Sequence, residues 1–285
     1  QDSATLLDHT VPAINAVRLK HKNNSVELYT PEATSTKSRQ EGSASNVEDA
    51  LENDQLRLLF QPIMSLRGDE KENYEVRVSQ FDGETDSYPQ ALIDADKSSK
   101  LDRWIILEAT KALSLHRAEG HNTRLIINLT NNALLDTSLV PWLAVAIKAA
   151  NLPNEAIAFQ FQEADIKNNL KAAISCFEAL KANQLSVSIE NFAEDEDPLK
   201  ILKHLKVDLI RIAPHFTSAV AEGKDGGALK ELLSSIAEYN IQAILPEVEN
   251  AGVLATLWQL GTHYIQGSYL QLPSPEMTYV FTELA

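Results

Sequence analysis

Short apolar runs alternate along this chain with amphipathic stretches of helical period. The runs RLLFQPIMSL (57–66), YEVRVSQF (74–81), RLIINL (124–129), AIAFQF (156–161), LSVSIENF (185–192), VDLIRI (207–212), QAILPEVE (242–249) and YIQGSYL (264–270) predict strands. Between them, LDRWIILEATKALSLHRA (101–118), most of LLDTSLVPWLAVAIKAAN (134–151), a long stretch through Leu180, PLKILKHL (198–205), ALKELLSSIAEYN (228–240) and AGVLATLWQLG (251–261) predict helices. Several strands lack strict alternation, which implies burial on both faces, as in a parallel sheet. Six or more strand-helix units in about 235 residues predict an α/β chain folded as a (β/α)8 TIM-type barrel.

Chemistry in such barrels sits where strands end. The polar residues there are Glu75, Asn128, Gln160, Glu190, Asn191, Arg211, Glu247 and Gln266, and their recurrence at successive strand ends predicts a shared pocket. The first residues do not continue this pattern. Residues 31–46, PEATSTKSRQEGSASN, are polar with no apolar period and read as a linker, and residues 1–30 hold a helix-like segment and a short strand, too little for a core of their own. A start at Gln1 leads us to expect a piece of a longer chain.

The net charge of -15 opposes nonspecific attraction to nucleic acid or anionic lipid, so partners of both kinds are excluded at this stage. No apolar run approaches the roughly 20 residues that cross a bilayer, and a cytoplasmic location is expected. The single cysteine, Cys176, can form neither an internal disulfide nor a cysteine-based zinc site, and reads as helix packing beside Phe177 and Leu180. The acidic run ENFAEDEDP (190–198) reads by itself as a solvated loop.

The order of these pieces resembles the EAL domain family, the cyclic di-GMP phosphodiesterases and their inactive relatives. LLFQPIMSL resembles the family's first strand, YEVRVSQ stands where E-A-L-x-R belongs, and INLT resembles the asparagine strand. FQFQEA resembles the E-x-T-E strand, SIENFAED the D-D-F-G-T-G loop, LIRIAPHF the L-K-I-D strand, and YIQGSYLQLPSP the closing Q-G-Y motif. A narrower likeness, in LRLLFQPIMSLRGDEKENYEV and PEVENAGVLATLWQLGTHYIQGSYLQLPSPEM, is to FimX-type proteins, whose EAL part is a receptor. AINAVRLKHKNNSVELYTP resembles the last helix and strand of a GGDEF domain. The resemblance therefore implies a GGDEF remnant over 1–30, a linker over 31–46 and a degenerate EAL domain over 47–285.

The resemblance also assigns positions. Active members activate water with two divalent cations, which need hard oxygen ligands. Glu75 and Asn128 match the first two ligands, neutral Gln160 replaces a glutamate, Glu190 and Asn191 replace an aspartate pair, and Arg211 replaces a lysine. Pro246, with a register uncertainty of one, stands near the last catalytic glutamate, and Glu163 fits a supporting acid. We therefore expect no metal and no hydrolysis. If cyclic di-GMP still binds, Gln61, Pro62, Arg77, Ser79, Glu247, Gln266 and Gly267 are its candidate contacts; Arg77 takes the signature's leucine position and Ser79 its arginine position. Strand alternation puts Arg77 and Ser79 on the face of Glu75. Glu247 stands where FimX-type domains carry an aromatic, and Ser268 where a tyrosine is usual. Two readings stay open, a metal-free receptor and a scaffold that has lost the nucleotide, with a weak phosphodiesterase as a third. A PilZ-domain partner of the type IV pilus machinery and homodimerisation are implied by the resemblance alone.

Overall fold

Among the described residues nine strands form one sheet, and the first pairs with the second to close it into a ring. The computed structural model describes residues 47–81, 85–89, 93, 99–194, 197–224 and 226–281, and these belong to a single unit spanning 44–285. The expected GGDEF remnant (1–30) and linker (31–46) lie outside the described residues. The ring consists of β1 (Leu56–Ser65), β2 (Glu72–Phe81), β4 (Thr123–Asn128), β5 (Ile157–Gln162), β6 (Ser186–Phe192), β7 (Leu209–Ile212), β8 (Gln242–Leu245) and β9 (Tyr264–Gln266); β3 (Asp86–Ser87) pairs only with β2, outside it. All eight expected strands are present, and the barrel is that of the expected fold class.

One expectation is corrected. β1 runs antiparallel to both β2 and β9, whereas every other ring pairing is parallel. The link 66–71 between β1 and β2 is of hairpin length and too short for the crossover that parallel neighbours need.

Alternation along the strands sorts the side chains into two cores. Ile63, Ile126, Ala158, Leu209, Ile244 and Tyr264 form a small cluster inside the barrel. Residues of opposite parity, among them Phe60, Val76, Ile127, Phe159 and Ile210, join the larger core shared with the surrounding helices. Those helices include α1 (Val47–Glu52) and α2 (Lys100–Ala118), then α3 (Asn131–Leu135) and α4 (Leu139–Ala149). After them come α5 (Glu163–Asn168), α6 (Leu170–Ala182), α7 (Leu199–Leu202), α8 (Pro214–Ala221), α9 (Gly227–Glu238) and α10 (Leu254–Gln259). The expected helix over 134–151 is broken between α3 and α4, where Asp136 takes an extended backbone and its carboxylate accepts from the Ser138 N–H at 2.9 Å. The long helix through Leu180 is broken at Asn169. The sequence reading missed α8, a short helix with Pro214 in its first turn. Cys176 is buried in α6, as expected of helix packing.

Candidate functional site

The inner apolar cluster has a polar layer above it, at the ends of the parallel strands. Glu75 of β2, Gln160 of β5, Arg211 of β7 and Gln266 of β9 are all buried there, and Asn128 of β4 and Glu190 of β6 are part-buried beside them. Each points inward because it lies two residues past an inward-facing neighbour, as Asn128 follows Ile126 and Gln160 follows Ala158.

Glu75 is 1% exposed and ringed by donors. Its Oε2 accepts from Arg77 Nε at 2.8 Å and Gln266 Nε2 at 2.7 Å. Its Oε1 accepts from Asn128 Nδ2 at 2.9 Å and Gln160 Nε2 at 3.4 Å, with Arg211 Nη1 at 3.7 Å. Burial pushes this carboxyl group up, but Arg211, Arg77 and the amide hydrogen bonds outweigh it and hold the pKa at about 2. Glu190 shifts the other way: burial and the charge of Glu75 raise its pKa against the pull of Arg211 and Arg77.

The amides around these charges are fixed in turn. Gln160 donates to Asn128 Oδ1 at 2.7 Å and accepts from Ser188 Oγ at 2.7 Å. Gln162 donates to Glu190 Oε2 at 2.6 Å and accepts from Asn191 Nδ2 at 3.0 Å. Neither Ser188 nor Gln162 was singled out from the sequence. Period-2 counting from Gln160 and Glu190 finds both, since they share the inward parity of those residues.

Above the knot opens a cleft of about 950 Å³, walled by Glu75, Arg77, Asn128, Gln162, Glu190, Asn191, Arg211 and Glu247 among others. The side chain of Arg77 is 37% exposed and so faces both the knot and the cleft. Glu247 is exposed at the rim with φ 58°, a left-handed backbone that glycine adopts without cost. Asn191 and Ala193 are left-handed too, at φ 53° and 67°. Glu163 is 2% exposed, and burial raises its pKa, only partly opposed by Lys167 and by the backbone N–H groups of Ala193 and Glu194. Pro246 is buried just past the end of β8, two residues beyond the inward-facing Ile244.

Other candidates stand elsewhere. Pro62 shares the parity of Phe60 and Met64, which belong to the outer core, and so lies on the opposite face of β1 from Gln61. The Gln61 amide is spent on Gln271 O at 3.1 Å and Gln266 at 3.3 Å, below the cleft. Ser79 keeps the parity of Glu75, yet its hydroxyl donates to Asp86 Oδ1 at 2.7 Å, and Arg57 Nε donates to the same oxygen at 2.7 Å. The β2–β3 hairpin thus takes Ser79 away from the cleft. Gly267 acts through its missing side chain: a Cβ there would lie 2.1 Å from the Val248 carbonyl oxygen. Ser268 is exposed and Gln266 lies wholly inside the knot. No described helix is long and apolar enough to cross a membrane.

Comparison with known proteins agrees with this architecture. The EAL domain model matches residues 44–273. The crystal structure of a FimX EAL domain is 42% identical, covering 82% of this chain and 96% of that one, with a TM-score of 0.76. The FimX EAL domain from Pseudomonas aeruginosa bound to c-di-GMP is 40% identical, covering 83% and 98%, with a TM-score of 0.77. The cyclic di-GMP phosphodiesterase PdeR of Escherichia coli (strain K12) is 25% identical over 240 residues, 82% of this chain and 36% of that protein. The chain spans about a third of the length of the curated relatives it matches first. By the family model and the FimX likeness together, the chain belongs to the EAL domain family.

Proposed function

We propose that this EAL domain is catalytically silent and serves cyclic di-GMP signalling as a metal-free receptor of the FimX kind. The observation that carries the reading is the Glu75 knot, in which both carboxylate oxygens are already taken by guanidinium and amide donors. A Mg²⁺ pair needs near-octahedral oxygen ligands at about 2.0–2.1 Å. The residues present do not fit it: Gln160 and Asn191 are neutral, Pro246 offers no side-chain ligand, and Arg211 lies against both Glu75 and Glu190. A divalent ion about 4 Å from that guanidinium would meet roughly 8 kcal/mol of repulsion at an effective dielectric near 20.

Arg77 supplies the positive charge for a phosphate. It can turn toward the cleft while Glu75 keeps Arg211 and three amides as partners. Two features weaken such binding. Ser79 is turned into the hairpin, and Glu247 places a negative group at the rim. These favour the second reading, a scaffold that has lost the nucleotide and works through its surface. Under either reading the FimX likeness points to a PilZ-domain partner of the type IV pilus machinery and to a homodimer.

Calorimetric titration with cyclic di-GMP in EDTA and in Mg²⁺, followed by chromatography of the nucleotide, tests the proposal. Binding in EDTA with intact nucleotide is expected. No heat in either buffer would leave the scaffold, and linear dinucleotide formed only with Mg²⁺ would restore the phosphodiesterase reading.

A further inference from the structure

At the opposite end of the barrel from the cleft, where the parallel strands begin, three metal-ligating side chains converge. Glu72 opens β2, His116 lies in the last turn of α2, and His121 stands in the turn leading to β4. Their ligand atoms all lie within 4.8 Å of one another. Thr123, the first residue of β4, pairs in register with Glu72 and places its hydroxyl in the same group. We propose that Glu72, His116 and His121 form a binding site for a transition-metal dication of the zinc class, with Thr123 or a water as fourth ligand.

The hydrogen-bond arrangement supports this in two ways. His116 Nε2 lies 3.0 Å from the Met277 carbonyl oxygen, which can only accept, so that nitrogen carries the proton and Nδ1 presents its lone pair to the cluster. A backbone carbonyl that fixes the tautomer of a histidine in this way is the usual partner behind a metal ligand. The Thr123 hydroxyl bridges two of the ligands, lying 2.7 Å from His116 Nδ1 and 3.0 Å from Glu72 Oε2, and a cation between them would replace that bridge.

The remaining geometry agrees. His121 Nδ1 is 3.0 Å from each Glu72 oxygen, so the carboxylate already faces the imidazole. The two rings stack with centroids 4.0 Å apart and planes 10° from parallel, so the exposed His121 ring turns about its side-chain bonds for both to direct a lone pair at one ion. Imidazole and carboxylate together suit zinc, at about 2.0–2.2 Å, better than Mg²⁺ or Ca²⁺. A bound ion would tie the starts of β2 and β4 to the end of α2, and through Met277 to the C-terminal segment. Its expected effect is stabilisation of the barrel base, apart from the nucleotide cleft.

The test is calorimetric titration of the tag-free 285-residue chain, stripped of metal, with Zn²⁺ alone, together with thermal melts. One equivalent should bind with a Kd of about 10 µM or tighter and raise Tm by several degrees. His121→Ala, at an exposed position, and Glu72→Gln should each weaken binding about tenfold or more, while His204→Ala, a surface histidine elsewhere, should leave it unchanged. The Co²⁺-loaded protein should show the visible absorption of a tetrahedral site, lost in both variants. Zn²⁺ binding that survives both substitutions, or none below about 100 µM in the wild type, would overturn the proposal.

Discussion

Arg211 joins the two acids of the strand-end layer by sitting against Glu190: its Nη1 donates to Glu190 Oε1 at 2.5 Å while remaining 3.7 Å from Glu75 Oε1. Its Nε also donates to Gln266 Oε1 at 3.0 Å, and the residue is only 6% exposed. Removing one member of a buried ion pair leaves the other uncompensated, at a cost of about 3–5 kcal/mol. Arg211→Met should therefore lower stability by about that amount in urea denaturation. Adding Glu190→Gln to the same chain should recover a part of it. A neutral effect of Arg211→Met would mean that Arg77 alone compensates both acids.

The same group of charges sets a pH dependence. The Glu75 pKa is depressed from 4.5 to about 2, so its contribution is complete above the unfolded value and disappears as pH falls through the folded one. That contribution amounts to about 3 kcal/mol. Glu190 is raised instead, so the folded protein takes up that proton more readily than the unfolded chain, and its protonation favours folding as pH falls. Urea midpoints should hold or rise from neutral pH to about 4.5, then fall toward pH 2. Glu190→Gln should flatten the first part, and Glu75→Gln the second.

The barrel and the inventory of its inner layer could be read from the sequence because both follow from period-2 alternation and strand order. Glu75, Asn128, Gln160, Glu190, Asn191 and Arg211 converge as expected. Ser79 was placed on the right face, but alternation carries no information about Asp86, which captures its hydroxyl from the adjoining hairpin. Gln266 stands at an inner strand end as expected; that its amide and the amide of Gln61 satisfy one another depends on a contact more than 200 residues apart in sequence. The antiparallel direction of β1 is encoded in the short 66–71 link, a constraint of connection length that apolar strand composition does not carry.

Arg77 should matter for ligand binding more than for folding. Its guanidinium holds Glu75 at 2.8 Å, but Glu75 has other donors, and Arg77 is the more exposed partner. If the cleft takes cyclic di-GMP, Arg77→Ala should weaken binding about tenfold or more, an effect of at least about 1.4 kcal/mol. The loss should shrink at high salt, since part of it is an interaction with phosphate across a solvated cleft. Equal affinity of the two proteins by calorimetry would place the phosphates elsewhere.

Gly267 tests how the end of β9 packs. A Cβ at this residue would approach the Val248 oxygen, nitrogen and carbonyl carbon at 2.1, 2.4 and 2.6 Å, all of them backbone atoms that cannot rotate away. The surrounding bonds, Val248 N–H to Gln266 O at 2.9 Å and Tyr269 N–H to Val248 O at 3.0 Å, fix both segments. Gly267→Ala should cost at least about 2 kcal/mol in chemical denaturation. Gly252→Ala is the control, because its added carbon meets only the Asn250 side-chain oxygen, at 3.0 Å.

Glu247 combines backbone strain with misplaced charge, and one substitution addresses both. Its φ of 58° costs a non-glycine residue about 1–2 kcal/mol, and its side chain is exposed at the cleft rim rather than held by the fold. Glu247→Gly should therefore raise stability by about 1 kcal/mol, less the greater entropy that glycine gives the unfolded chain. It should also remove a negative charge from the path of an anionic ligand. A gain in cyclic di-GMP affinity that is larger in low salt would identify charge as the cause, because relief of backbone strain alone is insensitive to ionic strength. Greater stability without any gain in affinity would separate the two effects, and would mean that the nucleotide does not pass or occupy this rim.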